Sequence, residues 1–175
     1  MTTTNLSLVN QKLGYARVLI QQLTTHSVAQ SRLLNEALAE AAVSHLVCGF
    51  RHYLRELAEA NGVKPLASII KLDGLAAVLA EAAKVSAEME ELQQLQANPA
   101  SWLAHLHHAY EQQWAPPSAN GGKADPTRPA VSVDDENLIQ LTVIEETPDL
   151  QLQLSRWYEA FSELVLRHRQ NLAEY

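Results

Sequence analysis

The chain has 175 residues, 47% of them hydrophobic, with one cysteine, six glycines and seven prolines, a size and apolar content that suit one domain around a real core. The lone Cys48 excludes an internal disulfide framework and any zinc site built mainly from cysteines, and it points to a reducing, cytoplasmic setting. The net charge of −7 is uneven: residues 1–64 carry six Lys/Arg against four Asp/Glu, whereas Asp134, Asp135, Glu136, Glu145, Glu146 and Asp149 form an acidic block, which disfavours nucleic-acid backbones and reads first as a solubilising surface.

The stretch from Met1 to Asn10 has no basic residue ahead of its apolar positions and no small-residue cleavage pattern, so a signal peptide is not expected. The most apolar window, Leu66 to Ala83, is interrupted by Lys71, Asp73 and Glu81, too many charges for a comfortable membrane span. Leu6, Val9, Leu13, Ala16, Ile20 and Leu23 recur at spacings of three and four, which predicts a first helix over about residues 5–25. A long second helix is predicted from about Ser27 to Asn61, with Leu34, Leu38, Ala42, Leu46, Phe50, Tyr53, Leu57 and Ala60 on one stripe and Gly62 as its stop. Lys64 and Pro65 then turn the chain.

Residues 66–96 are rich in Ala, Leu and Glu and read as two shorter helices, with Gly74 and the Lys84-Val85-Ser86 stretch as the candidate breaks. Asn98 and Pro99 are expected to cap and open a further helix carrying Trp102, Leu103, Leu106, Tyr110 and Trp114. Residues 115–130 hold four prolines and the pair Gly121 and Gly122; such a stretch reads as a flexible loop. In 131–146, Ile139, Leu141 and Val143 alternate with polar residues, which predicts a short extended segment. Thr147 and Pro148 are expected to cap a final helix in which Leu150, Leu154, Trp157, Phe161, Leu164 and His168 repeat at heptad spacing. The expectation is an all-α bundle of five to six helices.

Few constellations suggest chemistry. His45, Cys48 and His52 share one side of the second helix and are weak candidates for a metal, although a single cysteine is more often a small buried side chain. His105, His107 and His108 cluster near Glu111 and read as exposed helical histidines. No HExxH, P-loop, GxGxxG, GxSxG or zinc-finger spacing occurs, and the paired Glu-x-x-His pattern of di-iron bundles is missing; no cofactor is expected. Arg167 and Arg169 give the last helix a basic end, which complements the macrodipole. The alternative is an anion or partner-docking patch joined by Arg51 and Arg55.

Several stretches together carry a resemblance: Asn10-Gln11-Lys12-Leu13 with Ala16, Glu40-Ala41, His45-Leu46 and Glu56, then Pro99 with Trp102-Leu103, and Trp157 ahead of Leu164, Leu166-Arg167 and Arg169. In order and spacing, over nearly the whole chain, they resemble an uncharacterised bacterial, pseudomonad-type family of short proteins carrying a domain of unknown function. The resemblance implies a helical cytoplasmic protein with a variable proline-rich loop, no established activity, and an association with stress or DNA damage. The matching polar positions Asn10, Lys12, His45 and Glu56, with Arg167 and Arg169, are the binding candidates, since polar residues on apolar helices need buried partners or a task. Three functions stay open on these grounds: a non-catalytic interaction or adaptor protein that binds a protein partner or itself; a small-molecule or metal-dependent enzyme with a site inside the bundle; and a nucleic-acid-associated stress protein.

Overall fold

The computed structural model describes residues 4–26, 32–64, 67–116 and 150–173. These form six helices, α1 (Asn5–His26), α2 (Arg32–Ala60), α3 (Leu72–Glu81), α4 (Ala87–Ala97), α5 (Trp102–Gln112) and α6 (Leu150–Ala173), with no β-strand among the described residues. The chain is an all-α helical bundle. The predicted extended segment, nearly all of the proline-rich loop and the Thr147-Pro148 cap lie outside the described residues.

Helix α2 is the spine. No residue from 41 to 58 is exposed, because neighbours pack on more than one side of it. The predicted stripe accounts for only one of those sides: Ala39, Val43, Val47, Leu54 and Ala58 are buried as well. Helix α1 runs against α2, with Asn5 bonded to Glu59 near one end and the Tyr15 ring 5.2 Å from that of His45 further along. Helix α6 runs in the direction of α2, so that Phe161 meets Phe50 and Tyr53 while Arg169 meets Glu56. A Cβ added at Gly49 would stand 3.3 Å from the Lys12 Cβ and 3.4 Å from the Phe161 ring; this glycine lets α1 and α6 approach the spine closely.

Two of the three short helices, α4 and α5, start on serine caps. Between α3 and α4 the break falls at residues 82–86, and Gly74 is an ordinary third residue of α3. Ser86 caps α4, its hydroxyl accepting from the Met89 N–H. Ser101 caps α5 by accepting from the Ala104 N–H at 3.0 Å. This corrects the expectation that Asn98 and Pro99 open that helix. Asn98 closes α4 instead, and its Oδ1 accepts from the Ala100 N–H, because the Ser101 hydroxyl is the group placed to reach a first-turn amide. At the end of α2, Gly62 has φ +72°, and the bonds from Gly62 N to Glu59 O and Val63 N to Ala58 O complete a Schellman stop. Ala83 occupies the equivalent left-handed position after α3, with φ +51° and a matching bond from Lys84 N to Leu79 O.

The core gathers residues from all six helices. Phe161, fully buried, lies at its centre with the Phe50, Tyr53 and Trp102 rings all within 6.0 Å of its own. At the ends of the predicted stripes the prediction overshoots: Leu6, Leu34 and Leu150 are all more than 40% exposed, and Ala60 is exposed too.

Candidate functional site

Three of the polar residues singled out from the sequence come together. On α6 the Arg169 guanidinium grips the Glu56 carboxylate of α2 with two bonds, Nε to Oε1 at 2.6 Å and Nη2 to Oε2 at 2.8 Å. Its third donor, Nη1, reaches Asn10 Oδ1 of α1 at 2.9 Å. The parallel run of α2 and α6 sets Glu56 opposite Arg169, and the antiparallel run of α1 brings Asn10 to the same level. Glu56 is mostly buried, with 12% of its side chain exposed, so the fork geometry compensates part of the desolvation of both charges.

Beside this clamp runs a second chain of bonds that ties α2, α6 and α4. Glu91 of α4 accepts from Arg167 and, at 2.9 Å, bonds the Nε2 of His168. The other ring nitrogen of His168, Nδ1, meets the Tyr53 hydroxyl in a short contact. His168 Nε2–H donates to the carboxylate, and the Nδ1 bond with the Tyr53 hydroxyl completes the chain, its direction set by the protonation of the ring. Burial raises the Glu91 carboxyl, but the His168 bond and the Arg167 guanidinium outweigh it and hold its pKa below the ordinary value. Burial, reinforced by Glu56, pushes the Tyr53 phenol well above its usual range.

Hydroxyl, imidazole and carboxylate in series have the connectivity of a proton relay. Here, however, Tyr53 and His168 are each 1% exposed, and a phenol sealed in the core meets no substrate. The arrangement serves as a fully satisfied polar staple through the bundle. Sequence reasoning placed Tyr53 and His168 on apolar stripes and gave them no partners, and it passed over Glu91. The available signal was a histidine and a tyrosine at core positions, each of which needs a hydrogen-bond partner when buried.

The remaining candidates do not join this site. Lys12 and His45 both lie against Tyr15, with Lys12 Nζ 5.6 Å and the His45 ring centre 5.2 Å from the Tyr15 ring centre. Burial first, and then Lys12, lower the His45 pKa. The His52 pKa is lowered by burial, then by Arg55 and Lys12, and its buried Nδ1 has no partner among the described residues. Cys48 is a half-buried free thiol. Among the described residues no group of three His, Cys, Asp or Glu side chains is placed to hold a metal, so His45, Cys48 and His52 share a helix side without converging. Arg51 and Arg55 do not extend the basic end of α6 either: Arg51 lies over the Tyr110 ring and Arg55 donates to the Ala67 carbonyl. Of the histidines read as exposed, His105 and His108 are so, but His107 packs edge-on to Phe50.

The fold and the site together define a helical-bundle protein whose most buried polar groups staple its long helices. A model for a family of unknown function (DUF6586) matches residues 1–175, and the chain belongs to that family. No curated protein and no solved structure matches it.

Proposed function

We propose that this protein is a non-catalytic interaction protein, an adaptor that docks a protein partner in the cytoplasm. The observation that carries the reading is Trp114, whose side chain is 74% exposed just beyond α5. Its backbone is held by a bond from Trp114 N to Glu111 O, and the Tyr110 ring stands edge-on at 6.3 Å. The adjoining Gln113 is bolted to α2, accepting from the Ser44 hydroxyl and donating to the Glu40 carbonyl, both at 3.1 Å. An indole presented on a braced helix end loses little conformational freedom on binding, and tryptophan is among the residues most enriched at binding hot spots. A single aromatic knob calls for an apolar pocket on a partner protein. Among the described residues no helix is long and apolar enough to cross a membrane, so a membrane span has no support in these helices.

The test is affinity purification of the tagged protein at native expression level, with mass spectrometry and light scattering on the eluate, beside the Trp114→Ala variant. A stoichiometric partner held by the wild type and lost by the variant is the expected result. A monomeric eluate with no partner, or a partner retained equally by both proteins, overturns the reading.

A further inference from the structure

On the side of α2 away from the polar staple, a pocket of about 300 Å³ opens between α2, the start of α3, the end of α4 and α5, at the lower end of the size range of small-molecule sites. Its apolar wall is formed by Val47, Phe50, Ile70 and Leu72. Its polar lining includes Arg51, Lys71, Gln96, His107 and Glu111. Neither Arg51 nor Lys71 belongs to any ion pair among the described residues, in contrast to Arg167 and Arg169. Arg51 stacks its guanidinium on the Tyr110 ring, 5.3 Å from the ring centre, which leaves the in-plane N–H donors along its edge for another partner. Lys71 occupies the N-cap position of α3, where no side chain caps the first turn, so the positive end of that helix, offset in part by Asp73 in the same turn, adds to the two cations.

We propose that this pocket binds a small organic anion, a carboxylate or phosphate ester with an apolar body. Two cations against the one carboxylate of Glu111 give the lining a positive balance in a chain whose net charge is −7, so the pocket runs against the overall field. The oxyanion sits between Arg51, Lys71 and the first turn of α3, and the body lies on Ile70, Leu72 and Val47. His107 stays neutral: burial lowers its pKa, Glu111 opposes that, and Arg51 and Lys71 lower it further. Its ring nitrogens therefore offer one donor and one acceptor, while Glu111 accepts from a hydroxyl or amine of the ligand. The bond from Arg55 Nη2 to the Ala67 carbonyl and the full burial of Ile69 anchor the stretch that carries Ile70 and Lys71, so this wall is built before any ligand arrives.

The probes are phenyl phosphate and benzoate, with phenol as the uncharged control, titrated into the isotopically labelled full chain and followed by NMR. Saturable shifts at the Leu72 and Asp73 amides and at the His107 ring are expected with at least one of the two anions, and which one binds distinguishes phosphate from carboxylate recognition. The bound anion should raise the His107 pKa by offsetting the field of Arg51 and Lys71. Lys71 is an exposed side chain, so Lys71→Gln leaves the fold intact; it and Arg51→Gln should each weaken binding about tenfold, the worth of one charge-assisted hydrogen bond. Phenol binding as tightly as both anions, Lys71→Gln binding the anion like the wild type, or an absence of pocket shifts at millimolar concentrations of both anions overturns the proposal.

Discussion

The two sides of the α2 spine are built differently. On one side lie α1 and α6, of 22 and 24 residues, and there the buried polar groups are paired: Arg169 with Glu56 and Asn10, His168 with Tyr53 and Glu91. On the other side lie α3 and α5, of 10 and 11 residues, while α4, of 11 residues, reaches from Glu91 at the polar staple to Gln96 at a pocket whose two cations have no carboxylate partner among the described residues. Helices that short are marginal by themselves in water; α4 and α5 start on serine caps, and α3, which has no side-chain cap, is held by the burial of Leu72, Leu75 and Leu79 in the core. Long helices in register can lock charges across the core, whereas short helices leave a recess with unspent charge. Stability resides on the first side and binding capacity on the second.

The largest effect is expected from breaking the centre of the long-helix side. Phe161→Ala removes the ring that touches Phe50, Tyr53 and Trp102, and urea denaturation should show a loss of about 3–5 kcal/mol. Next comes Glu56→Gln, which leaves the Arg169 guanidinium without its counter-charge. Because Arg169 keeps 25% of its side chain exposed, the expected loss is roughly 2–3 kcal/mol, below that of a fully sealed pair. A retained denaturation midpoint in that variant would place the clamp among surface ion pairs of little worth.

The histidines couple both sides to pH. His45, His52 and His107 all have lowered pKa values in the folded chain, so below the unfolded value of about 6.5 the unfolded chain binds protons that the folded one refuses. Their contribution is complete above that pH and is lost as the pH falls from there through the lowered folded values. The lowered Glu91 carboxyl extends the same trend below its ordinary value of 4.5. Denaturation midpoints should therefore drop from pH 7 to pH 5, and His107→Gln should flatten the slope; equal slopes would mean that the burial of this ring has no energetic weight.

A smaller change of opposite sign is expected in the short-helix side. Ala83 holds φ +51° at the stop of α3, a conformation glycine adopts without the cost a Cβ imposes, and Ala83→Gly should raise stability by about 0.5–1 kcal/mol. Smallest of all is Lys71→Gln, expected within about 0.5 kcal/mol of wild type, since no partner is left behind. A clear stability loss there would show that Lys71 contributes to folding, and the contrast between the two sides would weaken.

The helices were legible in the sequence. Apolar residues at spacings of three and four place the bodies of α1, α2 and α6 where they are observed, the predicted start of α2 at Ser27 lying outside the described residues, and Gly62 marks the end of α2, because periodicity and stop signals are local properties of the chain. The sequence was less decisive where two caps competed within four residues, at Asn98 and Ser101, since which side chain reaches an amide depends on the path of the turn. It also identified Asn10, Glu56 and Arg169 as polar residues in need of partners, but as isolated points. That they meet, that His168 finds Tyr53 and Glu91, that His107 turns inward, and that Arg51 and Lys71 line one recess are consequences of how the helices pack. Glu56 and Arg169 lie 113 residues apart. Their meeting follows from the parallel packing of α6 on α2, which the apolar patterns of separate helices permit in many registers and do not specify.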